Sequence, residues 1–259
     1  MQSISSLTLT FGMPDGLEIS RPQIYSAGPF LQGALMERLD SLYVAYLHQQ
    51  AFNPYSLHCW IDNDTGVFIW RINALTDEAI EQIIEPMRKL DSLYLKRFDK
   101  TFEVTDKNQE TLPLKSLTDL IHEPGPSRVK VQFLSPTAFK STGMYIFMPT
   151  VRLVFQNLFM RYEQLYEGDK EVDPDTIDYL DRNIKLVSYN LHSHYFSHVM
   201  QGNRKIPAFM GSVDFNIGGS KPLGGLARML LTFGNYAGIG IKTSMGMGGA
   251  RCTWAKSQE

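Results

Sequence analysis

The chain has 259 residues, of which 43% are hydrophobic and 20% are charged, a composition typical of a folded globular protein rather than a disordered one. No apolar run approaches the roughly 20 residues that a membrane-spanning helix needs. The first residues, MQSISSLTLTFG, lack the basic and apolar regions of a signal peptide. The two cysteines, Cys59 and Cys252, lie far apart and indicate neither a disulfide framework nor a zinc motif. These features predict a cytoplasmic protein that does not associate with membranes.

The charge is distributed unevenly along the chain. A net charge of −2 and a pI near 6.3 argue against a general binder of polyanions. Residues 161–185 contain eight acidic against four basic residues, whereas residues 201–259 contain seven basic against two acidic residues. The basic C-terminal quarter fits a local phosphate-binding face, and it fits a solvated surface of uneven charge equally well.

The first half of the chain has the pattern of alternating strands and helices. Residues 3–10 alternate apolar with small polar residues, as a half-buried strand does. Thr76 has the position of a helix N-cap, with glutamates near the start of the helix. In chain order, the predicted elements are a strand at 3–10, a helix at 28–49, strands at 56–62 and 66–73, a helix at 77–88 and a strand at 99–105. The predicted order is βαββαβ.

The same order returns after the break at residues 122–126, His-Glu-Pro-Gly-Pro. In chain order, the predicted elements are a strand at 128–134, a helix at 149–166, strands at 184–198 and 207–217, a helix at 222–234 and a strand at 249–255. The acidic stretch 166–182 is predicted to be a solvated insertion. Two βαββαβ units in tandem predict an α+β protein of two ferredoxin-like domains. We assign residues 1–122 to the first and residues 127–259 to the second.

The most unusual segment is rich in glycine. Eleven of the 20 glycines lie between Gly211 and Gly249. A phosphate loop of the nucleotide-hydrolase type needs Gly directly before Lys242, where Ile241 stands, and a dinucleotide fingerprint needs Gly at position 243, where Thr243 stands. What remains is either a loop whose backbone amides approach phosphate oxygens, or a purely structural loop between a helix and an edge strand.

This segment resembles a known family. Residues 230–249, LLTFGNYAGIGIKTSMGMGG, are similar to the C-terminal glycine-rich signature of the CRISPR-associated endoribonucleases that process repeat RNA. Residues 133–140 and 206–215 resemble the family's segment that opens the second domain and its hairpin before the glycine-rich helix. Phe-Leu-Gln-Gly at 30–33, Tyr-Leu-His at 46–48 and Pro-Tyr-Ser at 54–56 resemble its first helix and the entry to the next strand.

The resemblance implies tandem ferredoxin-like domains and metal-independent cleavage of precursor CRISPR RNA within each repeat, with the 5′ repeat fragment left on the guide. It implies no cofactor and no metal site. The expected partners are the repeat RNA and, further, a CRISPR effector complex, and the state of the protein is left open between monomer and homodimer. An alternative within the same superfamily is a catalytically inactive RNA-binding subunit of an effector complex. A third interpretation, a stand-alone ferredoxin-like RNA-binding protein, would stack bases on Phe68, Trp70 and Trp60.

The resemblance places catalysis at His48, at the end of the first helix. An imidazole can accept or donate a proton near neutral pH, which cleavage by the RNA's own 2′-OH requires. Met36 stands where some members have a tyrosine, and residues 49–53, Gln-Gln-Ala-Phe-Asn, lack the lysine that some members use. The acid–base partner is therefore open among Tyr43, Tyr55, Lys242 and Ser244.

We predict RNA contacts in the glycine-rich loop and on two strands. The loop residues are Lys242, Thr243, Ser244, Gly238, Gly240, Gly246 and Gly248, and the strand residues are Arg204, Lys205, His192 and His194. His192 and His194 share one face of a strand, a spacing that could chelate a metal. No carboxylate or thiol nearby completes such a site, so we predict that this pair faces RNA or solvent.

Overall fold

The computed structural model describes residues 2–62, 64–168, 172–198 and 204–255. The first half forms β1 (Ser3–Phe11), α1 (Arg21–Tyr25), α2 (Gly28–Met36), α3 (Ser41–Gln49), β2 (Tyr55–Ile61), β3 (Phe68–Ala74), α4 (Asp77–Ala79), α5 (Glu85–Arg88), β4 (Ser92–Leu95) and β5 (Lys100–Pro113). A π-helical turn at Ile80–Ile84 joins α4 to α5. The strands form an antiparallel sheet in the order β2-β3-β1-β5-β4.

The second half repeats the plan. It forms α6 (Leu114–Asp119), β6 (Arg128–Thr137), β7 (Phe139–Ser141), β8 (Met144–Ile146), α7 (Val151–Tyr162), α8 (Pro174–Asn183), β9 (Ile184–His198), β10 (Arg204–Ile217), α9 (Lys221–Ala237) and β11 (Ala250–Trp254). Its antiparallel sheet has the order β11-β6-β10-β9, and β7 and β8 form a separate hairpin. With β4 set aside, both sheets have the strand order of the ferredoxin-like fold, so the predicted α+β class is confirmed.

The two halves share apolar packing. Ile4 and Leu75 come from the first half and belong to the core of the second. The division of the chain at residues 122 and 127 stays a prediction. Within the described ranges, no helix is both long and apolar enough to cross a membrane.

The predicted helix at 28–49 is wrong in one respect, because it is two helices. α2 ends at Met36 and α3 begins at Ser41. Asp40 has a non-helical backbone, and its carboxylate accepts hydrogen bonds from the N–H groups of Leu42 and Tyr43, at 2.9 and 3.3 Å. An N-cap of this kind satisfies N–H donors that have no partner inside the helix, so it starts a new helix where the apolar spacing alone continues the old one.

The acidic stretch 166–182 is also not a solvated insertion throughout. It contains most of α8, whose Ile177 and Leu180 are buried in the second core. Its acidic face pairs with α7, because Arg152 forms ion pairs with Asp178 and Asp181. Acidic residues outnumber the apolar ones in this stretch, which is why composition alone predicts solvation.

Candidate active site

His48 lies in the exposed last turn of α3. A cation at this end of a helix is favoured by the partial negative charge of the last carbonyl groups. The chain then passes through residues 50–54 into β2, and Ala51, Phe52 and Asn53 line a cleft of about 460 Å³.

We call this cavity the loop cleft. Its other walls are β7, α7 and the glycine-rich loop at residues 238–249. Its charged lining residues are Lys140, Arg161 and Lys242, and no Asp or Glu is among the described residues that line it. The structure thus brings the connection that follows His48 against the glycine-rich loop, two segments that the sequence places almost 200 residues apart.

The glycine-rich loop packs directly on α2. A Cβ on Gly28 would lie 2.2 Å from the carbonyl oxygen of Met245, and a Cβ on Gly246 would lie 2.7 Å from the Cα of Gly28. Gly238, Gly240, Gly246 and Gly248 all have positive φ angles, of 73°, 99°, 96° and 70°. These glycines therefore permit the tight path of the loop and its contact with the first half of the molecule.

Three of the predicted RNA-contacting glycines already use their amides inside the protein. The N–H of Gly238 donates to Gly234 O at 3.0 Å, that of Gly240 to the side-chain Oδ1 of Asn157 at 2.7 Å, and that of Gly248 to Pro136 O at 3.0 Å. This geometry favours a structural role for these amides, and direct RNA contact at them stays a prediction.

The polar side chains of the glycine-rich loop differ in their partners. Lys242 is half-buried in a left-handed backbone conformation with φ 54°, and burial followed by the charge of Lys140 lowers the pKa of its ammonium group. The Thr243 hydroxyl accepts a hydrogen bond from Arg161. The Ser244 hydroxyl accepts one from the Asn53 amide at 3.2 Å.

The two candidate tyrosines are both buried, and they differ in their partners. The Tyr43 hydroxyl is enclosed and has no hydrogen-bond partner among the described residues. The Tyr55 hydroxyl accepts a hydrogen bond from the Gln32 amide at 3.2 Å and is also hydrogen-bonded to Ser244. Burial raises the pKa of both phenols, so both stay protonated at neutral pH. Of the two, Tyr55 is the one hydrogen-bonded to the loop.

Arg161 joins the parts of the site, and it is not among the residues predicted from the sequence. Its guanidinium, 2% exposed, donates to the carbonyl oxygens of Ala237, Asn53 and Tyr55 as well as to Thr243. Burial lowers its pKa to about 10. A signal was present in the sequence, since Arg161 follows the buried Leu158 by three residues and so falls on the apolar face of α7.

The strand residues that we predict to contact RNA do not line the loop cleft. His192 and His194 line a second cavity of about 570 Å³ together with Trp60 and Arg251. The two histidines therefore lie on one face of the strand, as predicted. The His194 ring packs edge-on against the Tyr25 ring, with the ring centroids 5.5 Å apart. Lys205 is exposed on β10.

Two further predictions concern side chains on β10 and β3. Arg204 begins β10, but its side chain lies outside the described part of the chain. Phe68 and Trp70, predicted as stacking platforms in the third interpretation, are fully buried and cannot reach a base. Among the described residues, no group of three or more His, Cys, Asp or Glu could hold a metal ion.

Comparison with known proteins identifies the family. The family model of the CRISPR-associated endoribonuclease Cas6 matches residues 131–250. The chain is 37% identical over 219 residues to the Cas6 endoribonuclease of Streptococcus thermophilus, which covers 85% of this chain and 88% of the relative. It is 35% identical over 253 residues to that of Mycobacterium tuberculosis, covering 96% of this chain and 78% of the relative.

Solved structures agree on the fold. A Cas6 product complex superposes with a TM-score of 0.75 at 20% identity, covering 97% of this chain and 99% of that one. At this identity the likeness speaks for the fold alone, and it matches the two ferredoxin-like sheets described above. The sequence relatives, with which this fold agrees, show that the chain belongs to the CRISPR-associated endoribonuclease Cas6 family.

Proposed function

We propose that this protein is a metal-independent RNA endonuclease that cuts precursor CRISPR RNA within its repeats. The observation that carries the proposal is the position of His48, exposed in the turn that leads into a cleft whose charged lining residues are all cations. RNA is a polyanion, and such a cleft attracts its backbone. Membership of an endoribonuclease family supports the same reaction.

In the proposed reaction, the 2′-OH of the RNA attacks the adjacent phosphorus. The new bond joins the 2′ oxygen to phosphorus, and the bond from phosphorus to the 5′ oxygen breaks. The 2′-OH loses a proton to a base, and the departing 5′ oxygen takes one from an acid. The products are a 2′,3′-cyclic phosphate, or the 3′-phosphate that its hydrolysis gives, and a 5′-hydroxyl.

His48 performs one of the two proton transfers in this proposal. A general acid or base of this kind accelerates such a step by about 10²–10⁴-fold. For the partner we favour Tyr55 over Tyr43, because the Tyr55 hydroxyl is hydrogen-bonded to Ser244 in the loop, whereas the Tyr43 hydroxyl has no hydrogen-bond partner among the described residues. Tyr55 would serve as a neutral donor, since burial raises the pKa of its phenol.

RNA binding in the proposal uses both cavities. Lys242, Thr243 and Ser244 hold the strand at the loop cleft, and the cavity of His192 and His194 contacts unpaired bases. These contacts act on substrate and product alike. The cleaved guide is therefore retained and delivered to an effector complex.

The reaction is tested with repeat RNA from a CRISPR array of the organism that encodes this chain, incubated with the protein in excess chelator. We expect cleavage within each repeat, and a 5′ end that polynucleotide kinase labels without prior phosphatase treatment. Loss of activity in chelator, or a 5′-phosphate on the product, contradicts the proposed mechanism.

A second candidate is an RNA-binding subunit without nuclease activity. It is favoured by the enclosed Tyr43 hydroxyl and by the lack of a lysine in the residues that follow His48, since both leave the acid–base pair incomplete. In the same experiment it predicts tight binding of repeat RNA with no cutting under any metal condition.

A further inference from the structure

β9 is an edge strand of the second sheet, and one side of it is open. It pairs with β10 along its whole length, and in the described part of the chain no strand pairs with its other side. Four consecutive residues, from Val187 to Asn190, are exposed, so solvent reaches both faces of the strand there. The backbone N–H and C=O groups that point away from β10 are therefore available to a further strand.

The other sheet edges in the described ranges are each protected against such pairing. The first five residues of β2 are buried, and β4 has only four residues. On β11, the N–H of Cys252 donates to the side-chain Oδ1 of Asn235 at 2.6 Å. β5 has an open edge beyond its pairing with β4, and that part of the strand carries Asp106, Lys107 and Glu110. Short strands, covered strands and charged edges are the usual protection of an edge.

β9 has little of this protection. A bulge at Val187, which the register with β10 skips, interrupts the strand near its start. The nine residues that follow, Ser188–Phe196, contain no Asp, Glu, Lys, Arg or Pro. We call them the open edge. Tyr189 and Tyr195 are 64% and 62% exposed, although tyrosine favours the half-buried surface of a paired strand.

The exposed tyrosines of the open edge lie on the face opposite to the second cavity. The register with β10 is continuous from Ser188 onward, so side chains alternate between the two faces. His192 and His194 line the second cavity, and Tyr189 and Tyr195 are at odd positions, on the other face. Substitutions of the two tyrosines therefore test the edge without replacing a residue that lines this cavity.

A second copy of the chain supplies a strand that fits the open edge. Two identical strands pair antiparallel about a two-fold axis, so each copy offers the other the same row of N–H and C=O groups. Because the open edge has no Asp, Glu, Lys or Arg, such pairing opposes none of these charges in any register. The net charge of −2 also leaves little long-range repulsion between two copies.

We propose that the protein forms a two-fold symmetric dimer in which the open edges of two copies pair antiparallel. The two four-stranded sheets then become one sheet of eight strands, with the two copies of β9 at its centre. A strand of nine residues is about 30 Å long, which gives the interface its maximum length. The inference is independent of the proposed nuclease function, since no step of it uses RNA.

The test measures the mass of the RNA-free protein by sedimentation equilibrium over a concentration series, near pH 8, where histidine is neutral. The edge variant is Tyr189→Lys with Tyr195→Lys, which adds two cations to each copy at the pairing edge. A neutral edge variant is Tyr189→Thr with Tyr195→Thr. The matched control is Tyr94→Lys with Met144→Lys, which adds the same charge at exposed positions of β4 and β8.

Wild type, the neutral edge variant and the control should sediment as dimers. The lysine edge variant should have a dimer Kd at least about tenfold higher, because like charges opposed across an interface cost several kcal/mol. High salt should partly restore its dimer, since salt screens this repulsion, whereas it would not restore a misfolded protein.

Hydrogen exchange locates the interface. Amides of residues 188–196 should exchange more slowly in the wild-type dimer than in the lysine edge variant, and amides of β5 should exchange equally in both. A wild type that is monomeric throughout the series, a lysine edge variant that is as dimeric as wild type, equal dissociation in the control, or unchanged exchange along β9 would overturn the proposal.

Discussion

His48 and Tyr43 are on the same helix, but solvent reaches only one of them. His48 is exposed in the last turn of α3, whereas the Tyr43 hydroxyl is closed off beneath the helix. A proton-transfer group must come within hydrogen-bond distance of its substrate. The catalytic role predicted for each residue is therefore testable by substituting that residue and measuring cleavage.

His48→Ala should lower the single-turnover rate of repeat cleavage by about 10²-fold or more. Affinity for the RNA should stay within a few-fold, because proton transfer acts only in the transition state. The matched control is His122→Ala, another exposed histidine, which should cut at the wild-type rate. Equal losses of rate and affinity would make His48 a binding residue, and an unchanged rate would move catalysis to another group.

Tyr43→Phe and Tyr55→Phe should differ in their effect on cleavage. The Tyr43 hydroxyl is buried without a partner among the described residues, so its removal should leave the cleavage rate within about twofold and raise, or not change, the free energy of unfolding. Tyr55→Phe removes the hydrogen bonds to Gln32 and Ser244 and should slow cleavage. Rapid quench of single-turnover reactions and urea titration measure the two effects. A large rate loss in Tyr43→Phe alone would instead mean that α3 opens to expose this hydroxyl.

At the scale of elements, the contact of α2 with the glycine-rich loop holds the loop against the first half of the molecule. α2 contains both Gly28, which touches the backbone of the loop, and Gly33, where an added Cβ would meet no described atom within 4 Å. The two glycines of one helix thus separate the effect of an added methyl group on packing from its effect on helix propensity.

Gly28→Ala should lower the free energy of unfolding by about 1–3 kcal/mol, because its Cβ meets a backbone carbonyl that cannot move aside freely. Gly33→Ala should raise it by about 0.5–1 kcal/mol, because alanine loses less conformational freedom in a helix. Chemical denaturation measures both, and cleavage should fall only in the first. If Gly28→Ala has wild-type stability, α2 and the loop do not pack as described.

Strands with regular alternation could be predicted from the sequence, and elements that depend on a single side chain could not. In β6, Val129, Val131 and Phe133 are buried while their neighbours are more exposed, as the alternation predicts. The hairpin of β7 and β8 has three-residue strands, too short for a period to be recognised. The start of α3 depends on the cap at Asp40, and the chain on both sides has apolar residues at helical spacing.

At the scale of the whole molecule, the site is composed of parts that the sequence keeps apart. The resemblance identified His48 and the glycine-rich loop one by one, but nothing in the linear chain indicates that Asn53 meets Ser244 or that Arg161 bridges both halves. Such contacts are set by the docking of two sheets. Lys140 was for the same reason not predicted as a site residue.

His58 makes the stability of the folded chain depend on pH. It is buried on β2, where a Cβ on Gly249 would lie 2.6 Å from its ring, and burial, followed by the charges of Arg71 and Arg251, lowers its pKa to about 3. The unfolded imidazole takes up a proton near pH 6.5 and the folded one does not. Stability is therefore present above the unfolded pKa and is lost as the pH falls below it.

Between pH 7 and pH 5, His58 should remove about 2 kcal/mol from the free energy of unfolding. The free energy of unfolding of His58→Asn should not show this loss between pH 7 and pH 5, whatever the stability of the variant at pH 7. Urea unfolding at the two pH values measures the difference, with His122→Asn as the exposed control. Parallel losses in all three proteins would show that His58 is already protonated in the fold.

The ribosome also synthesises the two sides of the loop cleft at different times. Asn53 and Ser244 are 191 residues apart, so at about 5–20 residues per second a ribosome makes the second roughly 10–40 s after the first. During that interval the growing chain contains His48 but does not yet contain the glycine-rich loop with Lys242. The strand that follows the loop, β11, then pairs with β6 and closes the second sheet. In the proposed function, the growing chain therefore cannot hold an RNA strand at the loop cleft before the glycine-rich loop has been made.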